Sequence, residues 1–132
     1  MKSALFRRWR KNAGVEEIRL ESDEITAHIV PGSEPLTVAV AGRATVDSSP
    51  YLRSVLLELL RRGPDPVVVI DLSALSYLDM SGIATLLEAL KAARESSVKL
   101  RLAGMSGPVR TFAEIVQLDT IFRVWGSEVE FR

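Results

Sequence analysis

Apolar residues in this chain alternate with polar ones, run together, or recur every three to four positions, and each mode predicts a different element. Val15 to Glu21 alternates weakly between apolar and charged residues, and Ile25 to Val30 continues in a strand-like way. Pro31-Gly32-Ser33 reads as a turn. Leu36 to Ala41 is a second strand of small and β-branched residues. The opening is therefore expected to be a hairpin of two or three antiparallel strands.

Ser48-Ser49-Pro50 marks a helix start, a hydroxyl cap followed by proline at the first helical position. Leu52, Val55, Leu56, Leu59 and Leu60 then recur at helical spacing, with Arg53, Glu58, Arg61 and Arg62 opposite, and Gly63-Pro64 closes the element. Val67 to Leu72 is a continuous apolar run apart from Asp71, the signature of a central strand buried on both faces. A loop is expected over Ser73 to Leu78, then a helix with Ile83, Leu86, Leu87, Leu90 and Ala93 on one side. Val98 to Ala103 is the next strand, and Gly104 to Pro108 turns into a helix capped near Ser106 and marked by Val109, Phe112, Ala113 and Val116. Ile121 to Trp125 and Val129 to Phe131 are short closing elements.

The order β-β-α-β-α-β-α predicts one α/β domain. Its mixed sheet of about four to six strands has helices packed on it, with parallel pairing and right-handed crossovers after residue 48. A length of 132 residues, 47% of them apolar, suits a single domain with a real core. No apolar run reaches the roughly 18 residues of a membrane-spanning helix. The absence of cysteine removes disulfides and thiolate metal sites and suits a reducing cytosol. A single histidine argues against a zinc site. No metal and no cofactor are expected.

The 17 basic and 17 acidic residues balance, which argues against bulk nucleic-acid binding. The balance is uneven along the chain. Residues 1–14 hold Lys2, Arg7, Arg8, Arg10 and Lys11 with no acid, mixed with Leu5, Phe6 and Trp9. They are read as a basic tail ahead of a domain over 15–132. The tail is either a frayed, solvated terminus or a short amphipathic helix touching a membrane surface or a partner.

The most informative stretch is Val67 to Leu87. It puts Asp71 near a strand end, and Asp79 and Ser81 at the start of the following helix, with Gly82 allowing close packing. Asp79 is suited to cap that helix by accepting backbone N–H bonds. A helix start also favours a phosphate, and one beside Asp79 would repel it and a bound partner.

This stretch resembles the STAS domain, the sulphate-transporter and anti-sigma-factor-antagonist family. The hallmark is an apolar strand ending in Asp-Leu, then Asp-Ser-Ser-Gly or Asp-Thr-Ser-Gly before an apolar helix. Here it is matched by Asp71-Leu72, Asp79-Met80-Ser81-Gly82 and Ile83. The likeness runs from Leu36 to Phe122, roughly two thirds of the chain, and takes in Gly42 and the Phe112, Leu118, Ile121-Phe122 pattern.

The resemblance implies a STAS-like fold and a non-enzymatic, cytoplasmic protein-interaction switch. In the anti-sigma antagonists a kinase-type anti-sigma factor phosphorylates the hydroxyl residue after the second Asp. That position is Met80 here, so the usual switch is missing from its usual place. Ser81 is the alternative acceptor. The chain is then either a constitutive binder of an anti-sigma-factor kinase, or the cytoplasmic STAS subunit of a lipid-transporting ABC system, contacting permease and ATPase. The residues assigned to the partner surface are Asp71, Asp79, Met80, Ser81 and Gly82.

Other signals carry less. A response-regulator receiver needs an acidic pair after its first strand, where this chain has Pro31-Gly32 and Ala41-Gly42-Arg43. Gly104-Met105-Ser106-Gly107 joins a strand to a helix, unlike an RNA-binding KH loop. No P-loop occurs. His28 reads as a strand-face residue, and Asp71 with Asp79 lacks the nucleophile an enzyme site would need.

Overall fold

The computed structural model describes residues 6–8, 18–20, 24–62 and 65–132. Its elements run β1 (Phe6–Arg8), β2 (Ile18–Leu20), β3 (Ile25–Ile29), β4 (Leu36–Ala44), α1 (Ser49–Arg62), β5 (Val67–Leu78), α2 (Met80–Glu95), β6 (Lys99–Met105), α3 (Gly107–Ile115), α4 (Leu118–Val124) and β7 (Glu128–Phe131). Five strands form one sheet in the order β3-β4-β5-β6-β7. β3 pairs antiparallel with β4, and every later pair is parallel. The expected mixed sheet and opening hairpin are present, each later pair spanned by a helical crossover.

At the N-terminus the structure departs from the helical reading. Phe6–Arg8 is a strand, and it pairs antiparallel with Ile18–Leu20 as a separate two-stranded sheet. Three residues of strand cannot also be a turn of helix, so an amphipathic helix through Phe6 is corrected. Leu5, Trp9 and the cations Lys2, Arg10 and Lys11 lie outside the described residues, as do Gly63 and Pro64.

The core follows the periodicities. Leu52, Val55, Leu56, Leu59 and Leu60 of α1 are all almost fully buried, and so are Ile83, Leu86, Leu90 and Ala93 of α2. Burying a side chain of this size contributes roughly 1.5–3 kcal/mol, more than any surface pair in the molecule could supply. These helices pack against each other, and Arg53 of α1 reaches across to Glu88 of α2.

β5 differs from expectation in length and in burial. The loop expected over Ser73 to Leu78 is strand. Leu75 and Leu78 are buried and keep β5 in register with Gly42 and Ala44 of β4. Two register shifts, between Ala39 and Ala41 and between Gly42 and Arg43, each set an extra β5 residue against β4. Such bulges bend a strand and re-aim its side chains. The Ser and Tyr residues that made the segment look like a loop lie where the pairing is irregular.

Burial along β5 alternates, so the strand is not enclosed on both faces. Val68, Ile70 and Leu72 face the helices, while Val67, Val69, Asp71 and Ser73 stay half-buried on the other face. That second face also carries Thr26, His28, Ala39, Ala103 and Arg101, a mixture of small and polar side chains. At its β6–β7 side Arg101 Nε lies 2.6 Å from Glu128 Oε2.

The closing elements are a short helix, α4, and the edge strand β7, which turns Val129 and Phe131 toward the core.

Candidate functional site

Four chain segments converge around the start of α2. Asp79 follows β5 in extended backbone and caps the helix. Its Oδ1 accepts from the N–H groups of Ser81 at 2.9 Å and Gly82 at 3.2 Å, and the Ile83 N–H bonds to its carbonyl at 3.0 Å. The capping expected of Asp79 is therefore present. The same bonds qualify the phosphate argument, because two of the helix-start donors are already held by a carboxylate.

Met80 follows as the first helical residue and is 59% exposed. Ser81 is half-buried beside it. Gly82 points the other way. A Cβ there would lie 2.4 Å from Leu78 Cδ1 and 3.0 Å from Ala44 Cβ. The close approach that Gly82 permits is thus of β4 and β5 to α2, inside the protein.

Two grooves flank this helix start. One, of about 590 Å³, is lined by Ser76, Tyr77, Leu78, Asp79, Met80 and Ser81 and by Pro108, Val109 and Phe112 of α3. The other, of about 450 Å³, lies between α1 and α2 and includes Val46, Ser49, Pro50, Arg53, Ser81 and Glu88. Ser81 borders both, so Met80 and Ser81 form a ridge between them. Val46 is 67% exposed and Tyr77 is 40% exposed, which extends the apolar rim on each side. The Arg43 guanidinium sits 4.3 Å from the Tyr77 ring centroid, a cation–π contact that holds the ring at the rim.

The loop before α1 is built to present Val46. Thr45 Oγ1 accepts from the N–H groups of Asp47 and Ser48. Ser48 Oγ accepts from the Thr45 N–H and donates to the Arg43 carbonyl at 2.7 Å. The Ser48 hydroxyl therefore ties the loop back on itself, and it is the Ser48 carbonyl that receives the first helical N–H groups, from Tyr51 and Leu52. Ser49 Oγ is buried with no hydrogen-bond partner among the described residues. At α3, Ser106 occupies the cap position as expected, but its hydroxyl makes no cap bond.

Asp71 stands apart from this ridge. Because β5 runs on to Leu78, Asp71 is a mid-strand residue on the half-covered sheet face, paired across to Ala39 and Ala103. Its Oδ1 accepts from the Ser73 N–H at 3.0 Å and the Ser73 hydroxyl at 2.7 Å. Eight residue steps at about 3.3 Å each, shortened by the two bulges of β5, separate it from Asp79 by roughly 20–25 Å. Asp79, Met80 and Ser81 are brought together at the surface, and Asp71 is not brought to them.

Val46, Tyr77, Pro108 and Phe112 also line the grooves, and no motif in the sequence marks them as site residues. Phe112 carried a core signal, its spacing from Val109, and a place in the family-like pattern with Leu118, Ile121 and Phe122, but no sign of a surface role. Val46 carried none, being one apolar residue in a polar loop.

A mixed sheet with this order, and an Asp-capped helix start presenting an exposed turn, define a STAS-type domain. A family model described as "Mlab, STAS domain" matches residues 27–124, and the chain belongs to this family. Among its relatives are the anti-sigma-B factor antagonists of Staphylococcus epidermidis and Staphylococcus aureus. They are 31% identical to it over 94 residues, covering 70% of this chain and 86% of theirs. The crystal structure of an anti-sigma factor antagonist from Mycobacterium paratuberculosis superposes with a TM-score of 0.67 at 23% identity, over 76% of this chain and 84% of that one. The anti-sigma factor antagonist SpoIIAA in its unphosphorylated form gives 0.61 at 16% identity, over 80% and 87%. These likenesses establish the fold.

Proposed function

We propose that this chain is a non-enzymatic, cytoplasmic regulator that binds an anti-sigma factor through the Met80–Ser81 ridge and its two grooves, as an anti-sigma-factor antagonist. The single observation that carries the reading is the exposed Met80 thioether at the Asp79-capped start of α2, on the rim of a groove with Tyr77, Pro108 and Phe112. A flexible, polarisable side chain at such a place suits a partner's apolar surface. The partner-binding residues are Met80 and Ser81, with Asp79 fixing the turn and Gly82 seating the helix beneath it. Asp71 acts through the strand rather than at the ridge.

The chain lacks the usual phospho-switch, because Met80 has no hydroxyl to modify. Ser81 is a poor substitute. Its backbone N–H is bonded to Asp79 Oδ1, and a phosphate there would meet that carboxylate. Phosphorylation at the usual position therefore does not silence this regulator.

The test is a tagged pull-down from the native cell in mild detergent, with mass spectrometry of the retained proteins. An ATP-binding, kinase-type anti-sigma factor is the expected partner. Recovery of an ABC permease and ATPase instead would move the chain to the transporter reading, in which the five cations of residues 1–14 contact the membrane. The purified anti-sigma factor, incubated with the chain and Mg-ATP, is expected to add no phosphate to its intact mass. Stoichiometric phosphate at Ser81 would overturn the reading that the phospho-switch is missing.

A further inference from the structure

We infer that Met80 is a selective oxidation site, and that conversion of its thioether to the sulfoxide is the covalent switch of the binding ridge. This rests on the reading that the ridge is the docking surface.

Sulfur in this chain is sparse. There is no cysteine, and the three methionines are Met1, Met80 and Met105. Met105, at the end of β6, is completely buried, whereas Met80 is 59% exposed. Met1 lies outside the described residues. Oxidants reach a thioether according to its exposure, so Met80 is expected to react well ahead of the buried Met105.

The product is placed where it matters. Met80 shares its groove with Tyr77, Pro108 and Phe112, and the apolar lining there is completed by its own side chain. A two-electron oxidant of the peroxide class transfers one oxygen atom to Sδ. The sulfur is oxidised by two electrons and the peroxide is reduced to water. A flexible apolar group becomes a polar, chiral one without change of chain length. A partner that desolvates this rim would then have to strip water from the S=O oxygen or supply a donor to it. The modification is reversible, since sulfoxide reductases return the thioether at the expense of a dithiol.

Structural damage is not the mechanism. Met80 contributes its backbone to the first turn of α2, and the cap bonds from Ser81 and Gly82 to Asp79 do not involve its side chain. Oxidation is expected to leave the fold intact and to change only the surface.

The experiment uses the full chain, hydrogen peroxide as oxidant, and the anti-sigma factor recovered in the pull-down as probe. Peptide mapping should show Met80 converted while Met105 stays a thioether, with the Met1 peptide read separately. Oxidation of Met105 as fast as Met80 would overturn the selectivity. Affinity should fall at least tenfold for the oxidised wild type and return after sulfoxide reductase treatment. Met80→Leu, whatever its own starting affinity, should show the same affinity before and after peroxide. Unchanged affinity of the oxidised protein overturns the switch. Met80→Lys separates the two ideas. If it loses binding while the sulfoxide does not, the ridge stands and the switch falls. If Met80→Lys also binds normally, the docking surface lies elsewhere and both fall.

Discussion

The Asp79 carboxylate and the Ser81 N–H are joined by a 2.9 Å hydrogen bond, so the residue that caps α2 also fixes the ridge beside it. Asp79→Ala removes the acceptor for both Ser81 and Gly82. A loss of about 1–2 kcal/mol is expected in urea unfolding, the cost of deleting an N-cap. Asp79→Asn keeps one acceptor oxygen and should recover most of it. Equal losses for both variants would show that the charge, not the hydrogen bonds, holds the turn.

Met80→Lys should behave in the opposite way. The side chain is mostly in solvent, so the melting temperature should stay within about 1–2 °C of the wild type, as for most exposed substitutions. Partner affinity, measured by titration calorimetry, should fall at least tenfold because a hydrated ammonium replaces the apolar rim. A large drop in stability would place Met80 in the core.

Gly82→Ala tests the packing beneath the ridge. Alanine normally improves a helix interior, by about 0.5–1 kcal/mol over glycine. Here its methyl would meet Leu78 and Ala44 inside their contact distances. Overpacking of this kind costs typically about 1–3 kcal/mol, so net destabilisation is expected in chemical denaturation. A stabilised variant would mean that Leu78 can turn aside without cost.

Gly42→Ala should be the more damaging glycine variant. Gly42 has φ +110°, and a Cβ there would lie 2.0 Å from the Glu24 carbonyl oxygen. Backbone strain and a clash with main chain add, so a loss of about 3 kcal/mol or more is expected. A thermal melt close to wild type would show that the β3–β4 pairing yields locally.

Asp71→Ala separates the two aspartates. It leaves the Ser73 N–H and hydroxyl without their acceptor on the half-covered face. A modest destabilisation, about 1 kcal/mol, is expected with partner affinity unchanged. A tenfold loss of affinity at unchanged stability would bring the open sheet face into the binding surface.

Much of the architecture was legible from spacing alone. The leucines of α1 and α2 recur as a buried helix face must, and their positions in the core follow. β5 was legible only as far as Leu72. Beyond it, Ser73, Ser76 and Tyr77 interrupt the β-branched run, and strand continues because two bulges let Leu75 and Leu78 stay buried. A one-dimensional pattern contains no bulges. The error propagated to Asp71, which a short strand puts near the turn and a long one leaves in mid-sheet. The same limit explains the site. The turn from Asp79 to Gly82 is contiguous and could be read as a motif. Val46 and Phe112 join it only when α1, α2 and α3 come together, and neither advertises that in its neighbours.

The groove beside Met80 takes one wall from residues 76–81 and the other from Pro108, Val109 and Phe112. Between them, α2 and β6 must be synthesised and folded into place. A nascent chain that has emerged only as far as the turn has only half of the groove, with the apolar edges of its newest strand and helix still uncovered. The groove is therefore complete only once α3 has packed beside the turn, and a fragment ending within α2 or β6 is expected to lack its second wall.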